Sequence, residues 1–143
     1  MSQIVCDLTH ISRCGGQYRS RQVEDMGINV RQASMIMEVC ATPGISQDAL
    51  SRRVFLNKSV VARSLATLEE QGYVERPTCQ KDKRITRLYP TDKALQIQPK
   101  LQAIWADCEH FLTEGMTEEE VATLEMLLGR LKVQSAKWME ADT

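Results

Sequence analysis

The chain is 143 residues long, with 43% hydrophobic residues, 26% charged residues and a formal net charge of -1. That length suits one domain with a sizeable core, and the composition is that of an ordinary globular protein. No apolar run approaches the roughly 18 residues of a membrane span, and Met1 to Asp7 lacks the basic and apolar regions of a signal peptide. No membrane partner and a cytoplasmic location are therefore expected.

Five cysteines, Cys6, Cys14, Cys40, Cys79 and Cys108, form no C-x-x-C pair and leave an odd count. This argues against a disulfide framework and a structural zinc site, so neither metal nor cofactor is expected. His10 and His110 are the only histidines, and neither sits in a constellation of nucleophile, base and orienting group. The expectation is therefore not an enzyme. Charge is distributed unevenly. Residues 52–93 carry ten Lys/Arg against five Asp/Glu, whereas 1–51 carry four against five and 94–143 four against nine. A basic middle between acidic ends suits a polyanionic partner that meets only the middle.

In chain order, Ile4, Val5, Leu8 and Ile11 form one helical face. Gly15-Gly16 is expected to weaken or bend that helix, since a glycine costs about 1 kcal/mol in a helix interior. The pattern resumes from Gln17 to Met26, and Gly27 punctuates it. A second helix is predicted over Val30–Ala41, stopped by Pro43-Gly44. Ser46 is a good N-cap for a short helix over Gln47–Val54. Phe55-Leu56 makes a tight turn, and Asn57 caps a helix from Lys58 to Gln71 with Val61, Leu65 and Leu68 inward. Gly72 supplies its left-handed cap. Two capped helices joined by a few residues form a helix-turn-helix.

The periodicity then alternates. Tyr73–Arg76 and Ile85–Tyr89 read as strands flanking a polar, basic tip from Pro77 to Lys83, a hairpin wing. Thr91 can cap a helix from Asp92, its opening turns disturbed by Pro99. After Glu114-Gly115, Thr117 and Glu120 form a capping box for a last helix with Val121, Leu124, Leu127, Leu128, Leu131 and Trp138. The terminal helices carry more aliphatic surface than a helix-turn-helix can cover, which favours pairing with a second chain.

Four stretches carry a resemblance to the MarR family of regulators: Gly44–Leu50, Asn57–Arg63, Leu68–Arg76, and Asp82-Lys-Arg84 followed by Leu88–Thr91. The order of helices and wing matches over essentially the whole chain. Departures are Ala94, where many relatives have glycine, and the Gly15-Gly16 pair. The resemblance implies a mainly α fold with a small β-hairpin wing, residues 28–93 forming the winged helix-turn-helix DNA-binding lobe. Residues 1–27 and 94–143 would be dimerisation helices. It also implies a homodimeric, sequence-specific transcriptional regulator, a repressor, on pseudo-palindromic double-stranded DNA.

The residues support that reading. A recognition helix presents its N-terminal residues to base edges, and here these are Asn57, Lys58, Ser59 and Arg63. Arg63 is suited to bidentate bonding to guanine. Ser46, Gln47, Arg53 and Lys58 are placed for phosphates, which fix register. By resemblance, Arg84 enters the minor groove and Asp82 braces the wing tip against an arginine, with Arg76 a candidate partner. Lys81 and Lys83 add backbone contacts.

For the signal, the resemblance implies a small aromatic or anionic effector between the DNA-binding lobe and the dimer helices, with His10, Arg13, Tyr18, Met35 and Met37 as candidate lining. The alternative is thiol oxidation through Cys6 and Cys14, with His10 and Arg13 nearby to activate a thiol. A winged helix serving protein assembly is a further alternative. It would carry outward apolar residues and a neutral or acidic wing, which the basic 52–93 region opposes.

Overall fold

The described residues are 2–77 and 84–141 of a computed structural model. Their order is α1 (Gln3–Val23), a 3-10 turn (Glu24–Met26), α2 (Val30–Ala41), β1 (Ile45–Ser46), α3 (Gln47–Val54), α4 (Lys58–Glu70), β2 (Val74–Glu75), β3 (Arg87–Pro90), α5 (Asp92–Leu112) and α6 (Glu118–Ala141). The fold is mostly helical with a small antiparallel sheet, as expected. The chain divides into two units, residues 1–108 and 109–143.

In the first unit, each helix of the central stretch starts where a side chain satisfies an orphan backbone N–H. Asn29 and Gln32 form a reciprocal capping box for α2, at 2.8 and 3.0 Å. Ser46 Oγ accepts from Ala49 N at 3.1 Å and Asn57 Oδ1 from Val60 N at 2.8 Å. Phe55 ends α3 with a left-handed φ of 55°, a conformation that any side chain but glycine adopts at a cost. It is what turns the chain sharply enough to start α4. Gly72, φ 80°, ends the α4 segment.

The sheet order is β1-β3-β2. Ile45 pairs with Leu88 and Ser46 with Arg87, while Val74 pairs with Pro90 and Glu75 with Tyr89. The strands are shorter than expected. Ile85 lies outside β3, and Tyr73 precedes β2, where its hydroxyl donates to Met26 O at 3.1 Å. β1 carries no alternation to read in two residues and exists because β3 pairs with it.

The core of this unit gathers Met35, Ile36 and Val39 from α2, Leu50 from α3, Val61, Leu65 and Leu68 from α4, Val74, Leu88, and Leu101 from α5. Met35 is fully buried there, so it is a core residue and cannot line an effector cleft. Met37 also packs against this core.

α1 runs unbroken through Gly15-Gly16, against expectation. Tertiary contact overrides the local cost. Gly15 is buried, and a Cβ built on it would lie 3.7 Å from Cys108 Sγ of α5. Arg19 Nε donates to Gly15 O at 3.1 Å, and its guanidinium lies 5.1 Å from the Trp105 ring centroid. α5 likewise continues through Pro99. Thr91 Oγ1 accepts from Ala94 N at 3.2 Å to open it.

The second unit holds the end of α5, a turn through Gly115 at φ 84°, and α6. The expected capping box is present, with Glu120 N donating to Thr117 Oγ1 at 3.1 Å and Thr117 N to Glu120 Oε2 at 3.0 Å. No helix among the described residues is long and apolar enough to cross a membrane.

A Cβ at Gly16 would meet nothing within 4 Å. Gly16→Ala is therefore expected to raise unfolding free energy by about 0.5–1 kcal/mol, whereas Leu65→Ala should lower it by about 2–5 kcal/mol. Urea unfolding followed by far-UV circular dichroism measures both. A loss of stability in Gly16→Ala would contradict the straight α1.

Candidate nucleic-acid interface

α4 buries Val61, Leu65 and Leu68 and turns Lys58, Ser59 and Arg63 to solvent. The three outward residues share the first two turns because helical neighbours recur every three or four positions. Asn57 Oδ1 accepts from the Ser59 hydroxyl at 2.8 Å as well as from Val60 N. Asn57 thus serves first as the cap that holds the exposed end of α4 in shape. Lys58 Nζ lies 3.6 Å from Asp48 Oδ1 on α3, and both side chains are well exposed. Such a pair contributes under about 1 kcal/mol, so the lysine can exchange partners readily.

Two of the expected contact residues have carboxylate partners within the fold. Arg53, at the C-terminal end of α3, donates to Thr42 Oγ1 at 2.8 Å and pairs with Glu38 at 3.3 Å. It therefore ties α3 to α2. Arg76 is bonded to Glu69 of α4. That carboxylate stands on α4 itself, while the expected pairing with Asp82 falls outside the described residues. Lys81, Asp82, Lys83 and Cys79 lie outside the described residues.

Ser46, Gln47 and Arg84 come together across a polar groove of about 390 Å³ between the start of α3 and the base of the hairpin. Asp48, Arg52 and Arg87 line the same groove. Sequence reasoning missed Arg52 and Arg87. Arg52 lies in the basic stretch 52–93 and Arg87 in the expected second strand, and nothing in the local pattern sets either apart. Only the pairing of Ser46 with Arg87 places them side by side.

The candidates in the N-terminal helix separate. Arg13 lines an open groove of about 860 Å³ between α1, the start of α2 and the end of α3, together with Arg31, Ser34 and Leu56. Tyr18 is exposed, and His10 Nε2 lies 3.6 Å from Cys14 Sγ. Cys6 and Cys14 stand on one continuous helix. Eight residues at about 1.5 Å rise put them about 12 Å apart, beyond the roughly 7 Å that a disulfide can span between Cα atoms. A bridge between them within one chain would require α1 to unwind. Among the described residues no group of three or more His, Cys, Asp or Glu could hold a metal ion.

A capped short helix, a tight turn, an exposed polar helix and a flanking three-stranded sheet define a winged helix-turn-helix protein. Residues 26–85 match the model of the MarR family. The HTH-type transcriptional regulator YybA of Bacillus subtilis (strain 168) is 25% identical over 132 residues, covering 92% of this chain and 88% of YybA. Among solved structures, the transcriptional regulator SlyA superposes with a TM-score of 0.94 at 22% identity, over 99% of this chain and 100% of that one. A MarR family transcriptional regulator from Listeria monocytogenes, solved in complex with 26mer DNA, superposes with a TM-score of 0.90 at 22% identity, over 96% and 91%. The chain is thus similar to MarR family regulators over residues 26–85 and shares their fold.

Cys14 is exposed, whereas Cys40 is buried and burial pushes its thiol up from the ordinary value. A raised thiol pKa means less thiolate at a given pH. Iodoacetamide at mildly alkaline pH is expected to label Cys14 in the native protein and Cys40 only after urea unfolding, read by peptide mass spectrometry. Rapid native labelling of Cys40 would contradict the packing of α2.

Proposed function

We propose that this protein is a transcriptional regulator of the MarR kind, a homodimeric, cytoplasmic repressor that binds a pseudo-palindromic DNA operator and acts by binding, with no catalytic step. The observation that carries the reading is the outward face of α4, where Lys58, Ser59 and Arg63 are exposed above a buried Val61-Leu65-Leu68 stripe. Such a helix enters the major groove with its first turns against base edges. Arg63 then bonds guanine, while Ser46, Gln47 and Lys58 meet phosphates. Arg84, at the base of the hairpin, reaches the adjacent minor groove and reads its width. The Listeria relative's complex with DNA supports the same use of the fold.

Dimerisation is supported by apolar side chains left in solvent on the terminal helices. Ile4 and Val5 of α1 are 64% and 61% exposed, Phe111 of α5 is 75% and Trp138 of α6 is 76%. Apolar surface in such quantity marks an association surface. A two-fold dimer then sets the half-sites about one helical turn, roughly 34–36 Å, apart.

The groove beside α1 suits an anionic effector, because Arg13 and Arg31 both line it. Guanidinium groups bond carboxylates in charge-assisted, often bidentate geometry. An effector there regulates operator affinity only if it binds one separation of the two lobes better than another.

Selection from random-sequence duplexes tests the reading, and a two-fold symmetric motif is the expected product. Arg63→Ala should then lose about 1–3 kcal/mol of discrimination at particular base pairs. Arg84→Ala should weaken binding to all sequences. Recovery of no motif, or variants that bind every sequence like the parent, would overturn it. Adding an aromatic carboxylate should weaken operator binding by the parent and much less by Arg13→Ala.

A further inference from the structure

We propose that the groove between the start of α3 and the base of β3 seats a backbone phosphate of the bound DNA, with Arg52 and Arg87 as its principal cationic contacts. The inference rests on the DNA-binding reading above and adds two residues to it. Among the described residues, the groove of about 390 Å³ is lined by three arginines, Arg52, Arg84 and Arg87, and one carboxylate, Asp48. That carboxylate already shares its charge with Lys58 at 3.6 Å. The described lining thus carries more cationic than anionic groups and is mostly polar, which favours a hydrated anion over an apolar ring.

The arginines are held in place by main-chain geometry. Ser46 and Arg87 are partners in the β1–β3 ladder, and Gln47 N donates to Thr86 O at 2.9 Å. These bonds fix the first turn of α3 against the strand. Arg87 Nη1 donates to Gly44 O at 3.0 Å, which restrains its guanidinium. Arg52 approaches from the last turn of α3. The Ser46 hydroxyl caps α3, so the positive end of that helix faces the same space.

Its position fits one component of the duplex. The sugar–phosphate strand is the wall between a major groove and the neighbouring minor groove. A protein with α4 in one and the hairpin in the other must cross that wall. The groove lies on the stretch of fold that joins the helix-turn-helix to the hairpin. A phosphate there fixes register and carries no base identity.

The test measures DNA affinity against salt concentration for the full-length parent, Arg52→Gln, Arg87→Gln, the double variant and Asp48→Asn, on the selected operator and on a random duplex. Each arginine variant is expected to lower the salt slope by about one and to weaken both duplexes by the same factor, leaving the preference between them unchanged. Asp48→Asn is expected to bind both more tightly. Thermal melts confirm folding, and Arg52→Gln alone decides the matter if Arg87→Gln disturbs β3. Parent binding with unchanged slopes in the variants would overturn the phosphate seat and leave the DNA-binding reading intact. A loss confined to particular base pairs would also overturn it. A parent that binds neither duplex would overturn both.

Discussion

α3 and α4 exist as helices because Leu50, Val61, Leu65 and Leu88 are driven out of water together, each with no exposed surface. With 8 and 13 residues, neither helix is long enough to be stable alone in water. Burying one such side chain is worth about 1.5–3 kcal/mol, and it is this shared burial that two isolated short helices would lack. The same burial fixes the rotation of α4 about its axis. With Val61, Leu65 and Leu68 inward, Lys58, Ser59 and Arg63 have no choice but to face outward. Core and reading face are thus two consequences of one helical period.

Polar bonds then restrict the far end of α4. Gln71 Nε2 donates to Gly27 O at 2.8 Å, and Lys93 Nζ to Gln71 O at 2.6 Å. Thr91 Oγ1 donates to Gly72 O at 2.6 Å, and Lys93 lies 4.3 Å from the Tyr73 ring centroid. The end of α4 is therefore tied both to the turn before α2 and to the start of α5. Rotating α4 independently would break bonds on both sides, so the helix-turn-helix and its sheet move as one body.

Charge follows the same division of labour. The acidic ends leave the polyanion one favourable place to land, the basic stretch between residues 52 and 93. Within that stretch, however, cations differ in duty. Arg53 and Arg76 are bound to Glu38 and Glu69 and brace the scaffold. Arg52, Arg84 and Arg87 line one groove together. A count of basic residues sees these groups as equivalent; their partners separate them.

Much of the architecture was legible because it is encoded locally. Ser46, Asn57 and Thr117 announce helix starts through side chains that bond the nearby backbone, and Gly72 announces an end through a φ that favours glycine. The stripe of Val61, Leu65 and Leu68 gave the inward face of α4, and with it the outward Lys58 and Arg63. What could not be read depends on residues distant in sequence. β1 is a strand only because Leu88 and Arg87 lie beside it, and Gly15-Gly16 stays helical only because α5 packs against Gly15. Met35 looked available on its helix until the core closed over it. The direction of Arg53 and the meeting of Arg52 with Arg87 were likewise set by long-range packing. Sequence by itself determined the helices, their caps and the family resemblance, since these follow from neighbours within about four residues. Tertiary structure decided which cations face solvent together, because that depends on register between strands and on carboxylates more than ten residues away.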